Sequence, residues 1–263
     1  MSDASVMQRP ILQVIPSRAA DAEAYARWCD VQSVSAPTAT DSASLCLDAL
    51  GLGLLMPGEQ RVFRLSQHRP ARRQRGAKLS ELGRACGIQH GPRQILDACA
   101  GFGADALTLA ALGAEVVCIE ANLIVWLLLR DFTDGLLRGP VCWGSSYRML
   151  SGDQDWCCDS PESLHGFDAQ ETSLAVTATT RWDVIYLDPM FPPSTKSALP
   201  NQGLQHLRQL VTSTGPEVEA WLAAALPRAR DRVVVKRRRK DPVLAKPTFQ
   251  ISGKTVRFDV YQI

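Results

Sequence analysis

Short apolar runs rich in β-formers alternate with stretches of helical period through most of the chain after residue 94. Ile95-Leu96-Asp97 reads as a strand, Gly101-Phe102-Gly103 as a turn, and Ala104–Leu112 as a helix ended by Gly113. Glu115–Ile119 is a second strand, terminated by Glu120. Asn122 then caps an apolar helix from Leu123 to about Leu137. Val141–Trp143 is a third strand before Gly144-Ser145-Ser146, and Trp182–Leu187 a fourth, cut off by Asp188-Pro189 and Pro192-Pro193. Helical stretches over Gly203–Thr212 and Glu217–Arg228 precede a strand at Val233–Lys236. A closing hairpin pairs Thr248–Ile251 with Thr255–Tyr261. This order predicts an α/β fold, Rossmann-like, with a doubly wound and mostly parallel sheet over residues 91–263.

Residues 1–90 predict a small α+β unit. Ile11–Ile15 is its first strand, Ala19–Asp30 its helix, and Leu45–Met56 a strand turning at Pro57-Gly58 into a hairpin partner, Arg61–Leu65. Leu79–Cys86 reads as a short helix stopped by Gly87. Residues 151–180 interrupt the α/β pattern with six acids and no Lys or Arg, and read as a surface insertion.

Composition narrows the function classes. Of 263 residues, 46% are hydrophobic and the net charge is +2, so no overall basic field advertises nucleic acid and local clusters must carry that argument. No apolar run reaches the roughly 18 residues of a membrane span, and the N-terminus lacks the order of a signal peptide. Eight cysteines without CxxC or zinc spacing suit reduced thiols in the cytoplasm and no metal site. Two clusters are basic and free of acids: Gln67–Lys78, with Arg69, Arg72, Arg73 and Arg75, and the run Lys236-Arg237-Arg238-Arg239-Lys240. A solvated face is the ordinary reading of such runs; two of them in a nearly neutral chain favour RNA phosphates, with Lys196 a third candidate.

Candidate chemistry gathers at strand ends, where open α/β sheets bind ligands. Gly101 and Gly103 open a helix after a strand, and Glu120 can accept both hydroxyls of a ribose. The third glycine of the dinucleotide fingerprint is replaced by Ala106, and a carboxylate at Asp97 suits a cationic ligand better than a pyrophosphate. In the loop DPMFPP, Asp188 and the Pro189 carbonyl can accept hydrogen bonds from a flat amino group, and Phe191 can stack on its ring, worth about 1–3 kcal/mol. The competing structural readings make Asp188 a loop cap and Phe191 a core residue.

With DACAGFGADAL, CIEAN, DPMFP, KSAL, VVVKR and RFDVY in view, the chain resembles class I S-adenosylmethionine-dependent methyltransferases. More narrowly it resembles the RsmJ family of bacterial 16S rRNA guanine-N2 methyltransferases. The likeness covers Gln94–Ile263 apart from the acidic insertion. It implies methyl transfer from S-adenosylmethionine to the exocyclic N2 of a guanosine in 16S rRNA, free or in the small subunit. The target base must be unstacked to reach the pocket. The resemblance implies cofactor contacts at Ala104, Asp105, Glu120, Ala121, Ser145, Ser146 and Asp188, beside Asp97, Gly101 and Gly103. The family commonly has Arg where Ala104 stands, so Ala104 contributes backbone alone. Rival readings are an amino-directed methyltransferase of DNA or protein, an NAD-dependent oxidoreductase, and a non-catalytic assembly factor of the same fold.

Overall fold

A computed structural model describes residues 9–68, 80–153, 176, 179–190, 202–211 and 217–263. These fall into two compact units, one of residues 9–68 and the other of those from 80 onward. The basic stretch 69–79, most of the acidic insertion, and residues 191–201 with Phe191 and Lys196 lie outside the described residues.

The first unit is a four-stranded sheet in the order β2-β1-β3-β4. Its strands are β1 (Ile11–Val14), β2 (Asp30–Ser33), β3 (Ser44–Asp48) and β4 (Gly51–Leu55). The helix expected over Ala19–Asp30 is reduced to α1 (Glu23–Ala26) after two single 3-10 turns. Its last expected residue opens β2, an edge strand with all four residues exposed, so no apolar pattern marks it. The apolar run Leu45–Met56 is two strands rather than one. Asp48 Oδ1 accepts the Leu50 N–H at 2.8 Å and Gly51 takes φ +95°, which makes a tight hairpin inside the run. The expected partner, Arg61–Leu65, keeps a single bridge, Leu54 to Phe63.

The second unit is a seven-stranded sheet, β10-β11-β9-β8-β5-β6-β7. Its strands are β5 (Gln94–Asp97), β6 (Glu115–Glu120), β7 (Val141–Trp143), β8 (Trp182–Leu187), β9 (Ala229–Arg238), β10 (Phe249–Ser252) and β11 (Val256–Gln262). β7, β6, β5, β8 and β9 run parallel; β11 is antiparallel to both its neighbours. The order reverses between β5 and β8, and a crevice at such a reversal is the usual ligand site.

Strand alternation sends neighbouring residues to opposite faces. One face buries Ile95, Val116, Cys118, Val184, Tyr186 and Val234. The other buries Leu96, Val117, Ile119, Ile185, Leu187 and Val235. The first face is covered by α2 (Glu81–Ala85) and α3 (Ala104–Ala111), with Leu129 from α4 (Leu123–Thr133). The second is covered by α5 (Ser146–Ser151) and α7 (Val218–Ala225). α5 was not expected from the sequence. Ser145 caps it through the Arg148 N–H at 3.4 Å, and six residues are too few to declare a period. α6 (Gln202–Leu210) is joined to the α4 cap, where Asn122 Nδ2 donates to the Leu210 carbonyl at 2.9 Å. No described helix is long and apolar enough to cross a membrane. Cys142 is disulfide-bonded, against the expectation of reduced thiols throughout, while Cys29, Cys46, Cys86, Cys99 and Cys118 are free.

β9 is longer than expected, and two of its arginines, Arg232 and Arg237, are held inside. Arg232 is buried and donates to the Ala85 carbonyl at 3.2 Å. On β11, Arg257 pairs with Asp259, which is 0% exposed, at 2.8 Å. Removing one partner of such a pair strands the other charge, so Arg257→Ala is expected to cost about 3–5 kcal/mol in denaturant unfolding. A loss under 1 kcal/mol would show that the pair contributes little.

Candidate active site

The carboxyl edge of the parallel strands collects the chemistry. β5 ends in Asp97 and β6 in Glu120, and β8 runs into Asp188. In the parallel pairing of β8 with β9, Leu187 lies beside Val235; one residue further, Asp188 lies beside Lys236. Strand parity puts Tyr186 and Lys236 on the α3 side of the sheet, since Val234 faces that way. Asp105 comes down from the first turn of α3 to meet them.

These four side chains form one network. Lys236 Nζ donates to Asp105 Oδ2 at 2.6 Å and to Asp188 Oδ2 at 2.8 Å. Tyr186 Oη donates to the same Asp105 oxygen at 2.6 Å. Asp188 Oδ1 has no partner among the described residues. Burial pushes the Asp188 carboxyl up to about 6, helped by the like charge of Asp105 and opposed by the Lys236 ammonium. The same two carboxylates hold the Lys236 ammonium well above its ordinary range, against the effect of burial.

The glycine turn is fixed by packing as much as by backbone freedom. Gly101 has φ +52°, and a Cβ there would lie 3.2 Å from Leu207 of α6. Gly103 has φ +75° at the start of α3, and its Cβ would lie 2.4 Å from Leu129. Glu120 fastens this turn to β6. Its Oε2 accepts the Gly101 N–H at 2.9 Å and its Oε1 the Asn122 N–H at 2.7 Å, with the Ala121 amide beside them. Burial raises the Glu120 carboxyl and these amides lower it. Asp97 is 2% exposed and is raised further, first by burial and then by the charges of Asp105 and Asp188. Its Oδ1 accepts the Cys99 N–H at 3.3 Å.

Other expected residues are placed differently. Ser146 is buried and its hydroxyl donates to the Ala98 carbonyl, while Ser145 is occupied as the α5 cap. Ala104 and Ala121 are exposed beside the turn and the β6 end. The basic run needs correction. Lys236 is part of the carboxylate network rather than a phosphate contact. Arg237 is buried, with Nη2 donating to the Pro242 carbonyl at 3.1 Å, so it does not reach outward. Arg238 is half-buried. Sequence reasoning missed Tyr186 and the site role of Lys236; the parity of β9 was the available signal.

A buried carboxyl without a cation of its own, at Asp97, and a second carboxyl, Glu120, at the end of the neighbouring strand fit a cationic nucleoside such as S-adenosylmethionine. No group of three or more His, Cys, Asp or Glu able to hold a metal occurs among the described residues.

Fold and edge chemistry define a class I S-adenosylmethionine-dependent methyltransferase. Residues 60–263 match the family described as "Putative SAM-dependent methyltransferase". The solved SAM-dependent methyltransferase NGO1261 of Neisseria gonorrhoeae shares the fold, with TM-score 0.60 at 23% identity over 95% of each chain. The chain belongs to the family of ribosomal RNA small subunit methyltransferase J. The Marinobacter nauticus protein of that name is 38% identical, covering 85% of this chain and 76% of its own length. Those of Pseudomonas aeruginosa and Coxiella burnetii are 34% and 37% identical, covering 96% and 94% of this chain and 95% and 93% of their own.

Because kcat/KM reports groups of the free enzyme, kcat/KM for S-adenosylmethionine is expected to fall with decreasing pH below about 6, as Asp188 takes up a proton. Lys236→Met removes the cation that opposes this and is expected to move the limb to higher pH. An unmoved limb would detach Lys236 from Asp188.

Proposed function

We propose that this methyltransferase modifies the exocyclic N2 of a guanosine in 16S rRNA, free or assembled in the small subunit, in the cytoplasm. The observation that carries the reading is Asp188, held at the β8 edge through one oxygen by Lys236 while the other faces no described partner. An open carboxylate oxygen next to the Pro189 carbonyl is a pair of acceptors matched to the two hydrogens of an amino group. Bonding both hydrogens draws the nitrogen lone pair out of conjugation with the ring and aims it. Lys236 fixes the carboxylate's rotation, so the acceptors do not have to be organised when the base arrives. Asp188, titrating near 6, is also basic enough to receive the proton the methylated nitrogen gives up.

S-adenosylmethionine supplies an electrophilic methyl group on a sulfonium. Asp97 would hold its amino group, Glu120 its ribose hydroxyls, and the backbone from Gly101 to Asp105 would lie along it. Ionising Asp188 costs the free protein stability: the contribution present below about pH 4 is lost as pH rises through about 6. A bound cation offsets that cost, which is a reason for the site to keep its carboxylates raised. Phe191, by its place two residues past Pro189, is assigned the stacking face for the base.

The test is labelled methyl transfer to small subunits, and to rRNA, from a strain lacking the gene. N2-methylguanosine is the expected product. Asp188→Ala is expected to lower kcat by about 10²–10³, the scale for losing one organised polar contact to the reacting group. Transfer to another atom, or an unaffected Asp188→Ala enzyme, would overturn the reading.

A further inference from the structure

Just past the end of β9 the chain makes a surface turn that is shaped from inside. Arg257 is 6% exposed. Its Nη1 donates to the carbonyls of Arg238, Arg239 and Asp241, and its Nη2 to that of Pro242. Buried Arg237 donates to the same Pro242 carbonyl. Within the turn the Asp241 N–H meets the Arg238 carbonyl at 3.1 Å. The Arg239 N–H meets Thr255 at 3.2 Å and so ties this turn to the one between β10 and β11. Two buried guanidiniums are thus committed to the carbonyls of a surface turn. Burying cations is costly, and the arrangement is understandable if the shape of the turn matters.

The turn displays Arg239 and Lys240, both exposed, and the tied turn adds exposed Lys254. None of the three makes an ion pair among the described residues. The nearby acids are Asp241, half-buried within the turn, and exposed Glu81, whose Cγ would lie 3.9 Å from a Cβ on Gly253. β9 is parallel to β8, so the turn leaves the sheet on the edge that carries Asp188. Arg239 is three residues beyond Lys236, a span of at most about 10 Å of chain.

We propose that Arg239, Lys240 and Lys254 form a preorganised surface for the phosphate backbone of the RNA that flanks the methylated base. The surface moves the contact from the residues a basic run suggests, 236–238, to those the fold turns outward. Phosphate contacts carry affinity and register and no base choice. The inference rests on rRNA being the substrate, and deepens that reading.

The experiment compares wild type with the triple variant Arg239→Ala/Lys240→Ala/Lys254→Ala on a small-subunit rRNA fragment across a salt series. Each lost phosphate contact on a single strand flattens the slope of log K against log salt by about 0.7, so a change of about 2 is expected. KM for RNA should rise by about tenfold or more at physiological salt. The kcat, the KM for S-adenosylmethionine and the melting temperature should stay unchanged. An unaltered salt slope and KM for RNA in the variant would overturn the surface while leaving the rRNA reading intact. A wild-type enzyme that methylates no rRNA under any condition would overturn that reading, and this surface with it.

Discussion

Two ionised carboxylates held close together at a half-buried sheet edge repel each other unless a cation lies between them, and for Asp105 and Asp188 that cation is Lys236. Its ammonium is shared by Asp105 and Asp188 at 2.6 and 2.8 Å. Everything that brings these three together belongs to the fold. The parallel register of β8 and β9 sets Lys236 beside Asp188, strand parity turns it to the α3 face, and α3 begins where the glycine turn allows. At an effective dielectric typical of such sites, each contact is worth a few kcal/mol before desolvation is subtracted, roughly the size of that subtraction. The network therefore buys position more than stability.

The parts of the candidate site legible in the sequence were those with local punctuation. Asp97, the turn at Gly101 and Gly103, Glu120 and the Asp188-Pro189 stop each lie where an apolar run meets a residue that ends it. Tyr186 and Lys236 were not legible in that way. Tyr186 reads as one more apolar position of β8, and its hydroxyl gains meaning only when α3 supplies Asp105 from 81 residues away. Lys236 was hidden inside a basic run. The alternation of Val233, Val234 and Val235 between the two cores would have assigned it to a face, had the strand been extended past its apolar part.

Patterning likewise reveals some elements of the fold and conceals others. β5, β6 and β8 are buried on both faces and appear as continuous apolar runs. β2 is exposed along its whole length, so its pairing with β1 is backbone geometry with no side-chain signature. β9 conceals its length in the opposite way: Arg232 and Arg237 look like surface residues and are buried, each answered by backbone carbonyls.

The run from Lys236 to Lys240 condenses the logic of this edge, because four of its five like charges divide by position into three uses. Lys236 turns inward and neutralises carboxylates. Arg237 is buried and braces the turn. Arg239 and Lys240 lie past the strand end, where parity no longer constrains them, and face solvent. The result is an edge whose inner part is anionic, at Asp97, Glu120 and Asp188, and whose outer rim is cationic. An anionic interior attracts a small cationic cofactor, and a cationic rim attracts a polyanion. A uniformly basic edge would repel the first, and a uniformly acidic one the second. Lys236, one cation shared by Asp105 and Asp188, offsets part but not all of the interior's negative charge and so eases the approach of the two fields. That ordering of charge supports assigning the cofactor to the interior and the RNA backbone to the rim.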